Sequence, residues 1–187
     1  MDGMDQNHSH LPHLGGLKEF SEPLKQHIQG VKVHGVGKDC GSHTSYFSLN
    51  HIHFFLGITF YQSFENIKNG SNLSIYCLFD TLERWKRQFL SFPEEIYLQL
   101  DGGLENANKY MLAACEFLVS KIVVSRLPTG HTYEDIDAAF AHLWTWLRQK
   151  TILTVPDFKT GVDQHFGKGK LKAVVLDLYV IPDYIDF

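Results

Sequence analysis

Two stretches of the chain place reactive side chains where a fold would present them. The first is Asp101, which closes the run from Glu95 to Asp101 (EIYLQLD) and is followed by Gly102 and Gly103. Two glycines after a strand let backbone and ligand approach closely, and Glu105 and Asn106 stand one turn further on. The same pattern also suits an Asp that merely caps the next helix. The second stretch is Gly130 to Asp137 (GHTYEDID), with one imidazole and three carboxylates at a helix start. Acids near a helix N-terminus complement its dipole, which accounts for Glu134 and Asp135. It accounts less well for His131, or for Asp137, which lies one turn in beside Ile136 and could face back toward a sheet.

Weaker signals lie elsewhere. Met1 to Gln6 (MDGMDQ) carries two acids and little else. His8 and His10, with His13 nearby, and the pair His51 and His53 show the H-x-H spacing of zinc sites, with no cysteine or acid at matching spacing. Solvated histidines explain them as well. Lys168, Lys170 and Lys172 could touch phosphate, although a turn with solvated lysines has the same sequence. No serine or cysteine sits in a nucleophile motif, so a hydrolase built on His131 and a carboxylate is a distant reading.

Composition limits the partners. The 187 residues are 44% hydrophobic, enough for one domain with a real core. The net charge of −4 argues against a protein held to nucleic acid by bulk electrostatics, though not against an enzyme with clustered carboxylates and metal. The longest apolar run, Met111–Val124, is interrupted by Glu116 and Lys121 and is too short to span a bilayer. The N-terminus lacks the basic start and apolar stretch of a signal peptide. Cys40, Cys77 and Cys115 form an odd, scattered set, as free thiols do in a reducing compartment. An intracellular protein, nuclear or cytoplasmic, is the expectation.

The elements that would position these residues follow from periodicity. Residues 1–30 read as irregular, with Pro12, Gly15, Gly16 and Pro23 as breakers. Residues 31–35 alternate as a short strand, and Tyr46 to Phe60 reads as one or two strands. Ser71 or Asn72 would cap a helix to about Phe89. Glu95–Asp101 is a strand with Ile96, Leu98 and Leu100 on one face. A helix from about Glu105 to Lys121, a strand over 122–126, and a helix burying Ile136, Phe140, Leu143 and Leu147 come next. Thr132, with Asp135 three residues on, resembles a capping box in which Asp replaces the usual Glu. Residues 156–170 read as an irregular loop and Lys172–Ile181 as a last strand. The order is that of an α/β or α+β domain with a mixed sheet, in one unit over 1–187.

Taken together, the runs DGMDQ from Asp2, LPHL from Leu11, GVKVHG from Gly30, LQLD ending at Asp101 with Glu105 and Asn106, and GHTYEDID ending at Asp137 resemble an uncharacterised eukaryotic domain family. Its members occur in transposon-derived proteins and look like divergent ribonuclease H-like domains of the transposase and integrase type. The resemblance covers residues 2 to about 160, and the block from Gly130 to Asp137 is its most specific part. It implies a ribonuclease H-like mixed sheet flanked by helices. It also implies a three-acid metal site carried by Asp2, Asp101 and Asp137, with His131, Glu105, Asn106 and Glu134 in auxiliary positions. Two divalent ions about 4 Å apart would activate the attacking oxygen and stabilise the leaving one. Three carboxylates suit magnesium or manganese. DNA would be the partner, and metal-dependent phosphodiester transfer or hydrolysis the activity.

Two departures qualify the implied activity. Gly102 replaces an Asn that family members often carry after the strand Asp. The chain begins at Asp2, so the expectation is a truncated first strand, no ladder to hold Asp2, and an exposed sheet edge that invites self-association. The copy is then degenerate or fragmentary. The alternative is a catalytically inactive, domesticated domain that serves as a binding or interaction module.

Overall fold

Alternation of side chains across three strands decides the layering. In the computed structural model, which describes residues 2–3, 11–14, 24–33, 57–100, 109–126, 135–167 and 173–185, β3 (Gln26–Lys32) lies antiparallel to β4 (Ile58–Phe64). Gly30 faces Phe60 in that ladder, and Val31 faces Thr59. β4 in turn runs parallel to β8 (Ala173–Leu178), with Phe60 beside Val175. Ile28, Phe60 and Val175 therefore share one face, and Val31, Tyr61 and Leu178 the other.

Each face receives a pair of helices. α3 (Asp135–Leu147) and α4 (Val155–Gly167) close the first, burying Ile136, Phe140, Leu143, Phe158 and Val162 with the strand residues. α1 (Ser71–Phe89) and α2 (Lys109–Leu118) close the second with Leu73, Cys77, Leu78, Met111 and Cys115. The result is an α/β arrangement with helices on both faces of a mixed sheet.

Three smaller ladders complete it. β1 (Asp2–Gly3) pairs antiparallel with β3, giving the sheet order β1-β3-β4-β8. β5 (Glu95–Leu100) and β6 (Lys121–Arg126) form a separate parallel pair. Its inner residues Ile96, Leu98, Ile122 and Val124 pack against the α1–α2 cluster, whereas Tyr97 and Val123 face outward. β2 (His13–Leu14) pairs with β7 (Thr151–Ile152).

The expected elements hold from β5 to α3 and at β8, and fail at four places. Residues 1–30 are not irregular throughout, because β1, β2 and most of β3 lie there. Asp2 does have a ladder: it stands opposite Gly30, and Gly3 opposite Gln29. The stretch expected as an irregular loop over 156–170 is instead helix α4 as far as Gly167. Thr154 and Asp157 form a reciprocal cap there. The Asp157 carboxylate accepts from the Thr154 hydroxyl at 2.7 Å and from its N–H at 3.2 Å, while the Asp157 N–H reaches Thr154 Oγ1 at 3.3 Å. Pro156 falls in the first turn, where its missing N–H costs nothing. Finally, Gly70 rather than Ser71 or Asn72 precedes α1, with no side-chain cap. Asn72 is occupied elsewhere: its Nδ2 donates to Asp183 at 2.8 Å and its Oδ1 accepts from the Tyr184 N–H at 2.9 Å, tying the C-terminal segment to α1.

No helix among the described residues is long and apolar enough to cross a membrane.

Candidate functional site

The middle of β3 organises the region where the candidate acids were expected. Gly30 lies directly under α3. A Cβ at Gly30 would sit 2.7 Å from Ile136 Cδ1 and 2.8 Å from Phe140 Cζ, so only hydrogen fits. On its strand edge the same Gly30 is the ladder partner of Asp2. The next residue, Val31, points the other way into the buried cluster that contains Leu100, the last residue of β5. Gly30 thus links the main chain of Asp2 to Ile136, the residue before Asp137, whereas Leu100, the residue before Asp101, is buried in the cluster on the opposite sheet face.

Among the proposed ligands, the carboxylate of Asp137 is described. It is half-buried, follows fully enclosed Ile136, and has no hydrogen-bond or ion-pair partner among the described residues. Asp2 is described through its main chain. Asp101, Glu105, Asn106, His131 and Glu134 lie outside the described residues, as do Thr132, His8, His10, His51, His53, Cys40 and the lysines at 168, 170 and 172. Within the described residues no three His, Cys, Asp or Glu side chains are grouped to hold a metal. His13 is buried, with its ring edge-on to Trp144 at 5.9 Å. Cys77 and Cys115 are buried free thiols. Burial pushes both up, Cys115 to about 11, so neither is a nucleophile at neutral pH.

Asp137 offers a carboxylate oxygen, the donor type that a hard divalent cation takes, and among the described residues no further acid, histidine or cysteine is grouped with it.

A second polar group was not foreseen. Under α1, the Tyr61 hydroxyl is 2.8 Å from Asp80 Oδ2 and accepts from Arg84 Nη2 at 2.7 Å. The guanidinium also holds Thr59 Oγ1 at 3.0 Å and, through Nε, Asp80 at 3.0 Å. Thr81 donates to the Cys77 carbonyl at 2.7 Å and lies 3.0 Å from the Tyr61 hydroxyl. Burial drives the Tyr61 ionisation far up, and Arg84 opposes it, so the phenol keeps its proton. The Tyr61 hydroxyl, the Thr59 and Thr81 hydroxyls, Arg84 Nη2 and Asp80 answer one another, and Arg84 Nε is within ion-pair distance of Asp80 without a hydrogen bond of its own among the described residues, which marks a structural network rather than a reactive one. Its trace in the sequence was the polar alternation Thr59, Tyr61, Ser63 within an apolar strand, with Asp80 and Arg84 four apart on the facing helix. On the same sheet face His27 Nδ1, Gln29 Nε2 and Ser63 Oγ are buried with no hydrogen-bond partner among the described residues.

Fold and site together define an α/β domain with helices on both faces of a mixed sheet and a half-buried acid in the first turn of α3. A family model, described as a domain of unknown function (DUF7869), matches residues 18–186, and the chain belongs to that family. Asp101, His131 and Asp137 fall inside the matched span, and Asp2 lies before it. No curated protein and no solved structure matches the chain.

Proposed function

We propose that this chain is a divergent ribonuclease H-like domain of the transposase or integrase type, derived from a transposon and directed at DNA in the nucleus or cytoplasm. Asp2, Asp101 and Asp137 are its metal ligands. The observation that carries the reading is Asp137, half-buried and without a partner among the described residues, in the first turn of a helix seated on Gly30. Gly30 is the ladder partner of Asp2. The strand order supports it: β1, β3 and β4 form an antiparallel set, and the parallel pair β5–β6 follows the first helix. A ribonuclease H-like sheet carries its acids on a first strand, after a later parallel strand and on a late helix. Bound magnesium or manganese would activate the attacking oxygen and stabilise the leaving one. The chain's own part is to hold the three carboxylates on separate elements, with His131 available to phosphate.

A second reading is a binding module without catalysis. It is favoured by Asp2 preceding the residues that the family model matches. A manganese-dependent nicking assay on supercoiled DNA separates the two. Activity lost in both Asp101→Asn and Asp137→Asn supports the nuclease. Manganese binding too weak to detect by calorimetry, with no nicking, supports the module.

A further inference from the structure

The α3–α4 contact is built from two residues on each helix, four apart. His142 and Trp146 of α3 interleave with Gly161 and His165 of α4. A Cβ on Gly161 would overlap Cη2 of Trp146 and lie 2.8 Å from its Cζ2, so the indole rests on bare backbone. The Trp146 ring stacks on His165 with centroids 5.3 Å apart and planes at 22°. His142 covers the same imidazole at 4.5 Å, and Phe166 stands edge-on to both imidazoles. His165 Nε2 is buried with no hydrogen-bond partner among the described residues.

The surroundings of this imidazole are one-sided. The described charges that reach it are His142 and Lys150, both basic, from α3 and the turn after it. From β8, Asp177 is paired instead with Lys159 at 3.5 Å. Arg148 of the same turn lies over Trp144, and Asp157 is committed to Thr154. Among the described residues no carboxylate is in place to receive a protonated His165. Burial, then His142, then Lys150, lower its proton affinity.

We propose that this joint is a proton-sensitive clamp, which holds α4 on α3 while His165 is neutral and loosens when His165 takes up a proton. A charged imidazole would sit against another imidazole and an ammonium, in contact with apolar rings and with no counter-ion. His165 is only partly buried, so its protonation weakens the α3–α4 contact rather than abolishing it, and α4 opens more often as the proton is taken up. Because α4 also covers Phe60 and Val175 through Phe158, Val162 and Phe166, release would uncover that half of the first sheet face. The inference is independent of the metal-site reading.

The test follows the His165 ring by NMR and α4 amide exchange from pH 8 to pH 5 in the full chain, with rates corrected for intrinsic pH dependence. The expected midpoint for His165 lies below 6.5 and rises in Lys150→Gln, an exposed change. α4 amides should lose protection as pH falls from about 6.5, by up to about tenfold per pH unit, while α1 amides hold. In His165→Gln the loss should vanish. A His165 midpoint at or above 6.5, or the same loss of α4 protection in His165→Gln, would overturn the proposal. Should His165→Gln not fold, the Lys150→Gln midpoint alone decides: no upward movement rejects the clamp.

Discussion

Gly30 and Ile136 approach so closely that a methyl group on the strand residue would stand 2.7 Å from the helix residue's Cδ1. Ile136 and Phe140 are both buried, so neither ring nor methyl can swing away into solvent. Gly30→Ala should therefore destabilise the fold by about 1–3 kcal/mol through overpacking, despite the usual benefit of Ala over Gly in the unfolded chain. Gly161→Ala should act similarly through Trp146. Urea denaturation measures both, and a Gly161→Ala, Trp146→Leu double variant should cost less than the sum of the singles, because the clash is shared. A neutral Gly30→Ala would show that α3 sits further from β3.

The Tyr61 hydroxyl serves Asp80, Arg84 and Thr81 at once. Tyr61→Phe keeps the ring and removes the oxygen, leaving those groups short of a partner. The expected cost is about 1–3 kcal/mol, the penalty for stranding buried polar groups. Asp80→Asn in the Tyr61→Phe background should cost less than it does in the native chain. Additive losses in that double-mutant cycle would mean the network is not coupled.

The contrast between these residues and the helices shows what the sequence could convey. Ile136, Phe140, Leu143 and Leu147 recur at helical spacing, and all four are buried; Ile96 and Leu98 alternate against Tyr97 and pack inward as alternation requires. Such patterns are local, so they survive without knowledge of the partner. β1 and β2 have two residues each, and their existence depends on Gly30 and Ile152, distant in the chain. α4 contains Pro156 and Gly161, residues of low helix propensity, and their tolerance rests on the first-turn position of one and the Trp146 contact of the other, neither of which is local in the sequence. For the site, the helix position of Asp137 was legible from the apolar stripe beside it. The ladder under Asp2 was not, because a two-residue strand has no period to read.

His27 carries a pH dependence whose sign is fixed by its surroundings. Burial lowers its proton affinity below the ordinary 6.5, and Glu65 partly offsets this. The unfolded chain thus takes the proton first as pH falls. The contribution to stability is complete above about pH 6.5 and is lost as pH drops through the lower folded value. His27→Gln should flatten this part of the stability profile between pH 7 and 5, and Glu65→Gln should move the His27 NMR midpoint lower still. An upward movement in Glu65→Gln would contradict the assignment of that charge.

Leu90 ends α1 in the left-handed conformation, with φ 62° and its N–H bonded to the Lys86 carbonyl at 2.8 Å. Its side chain is 89% exposed, so little packing is at stake. Glycine is the ordinary residue at this position. Leu90→Gly should raise stability by up to about 1 kcal/mol, since relief of the left-handed strain outweighs the greater unfolded-state entropy of Gly. Leu90→Val, branched at Cβ, should lower it. Thermal melts of the two variants beside the native chain would give opposite shifts, and shifts of one sign would refute the strain.

Asp137 allows a test of the metal site that does not depend on turnover. With no ion-pair or hydrogen-bond partner for its carboxylate among the described residues, Asp137→Asn should leave the metal-free melting temperature unchanged or slightly higher. Manganese or magnesium that binds the folded chain alone must stabilise it, by about 2.7 kcal/mol at a hundredfold excess over the dissociation constant. The native chain should therefore melt higher as either ion is added, and sodium chloride at equal ionic strength controls for screening of the −4 net charge. Asp137→Asn should lose most of that rise, and Asp101→Asn likewise. Asp2→Asn is the discriminating variant: a retained rise there would mean that two acids hold the ion without the β1 residue. A rise of equal size in the native chain and in Asp137→Asn would remove Asp137 from the ligand set and leave its half-buried position without a role in metal binding.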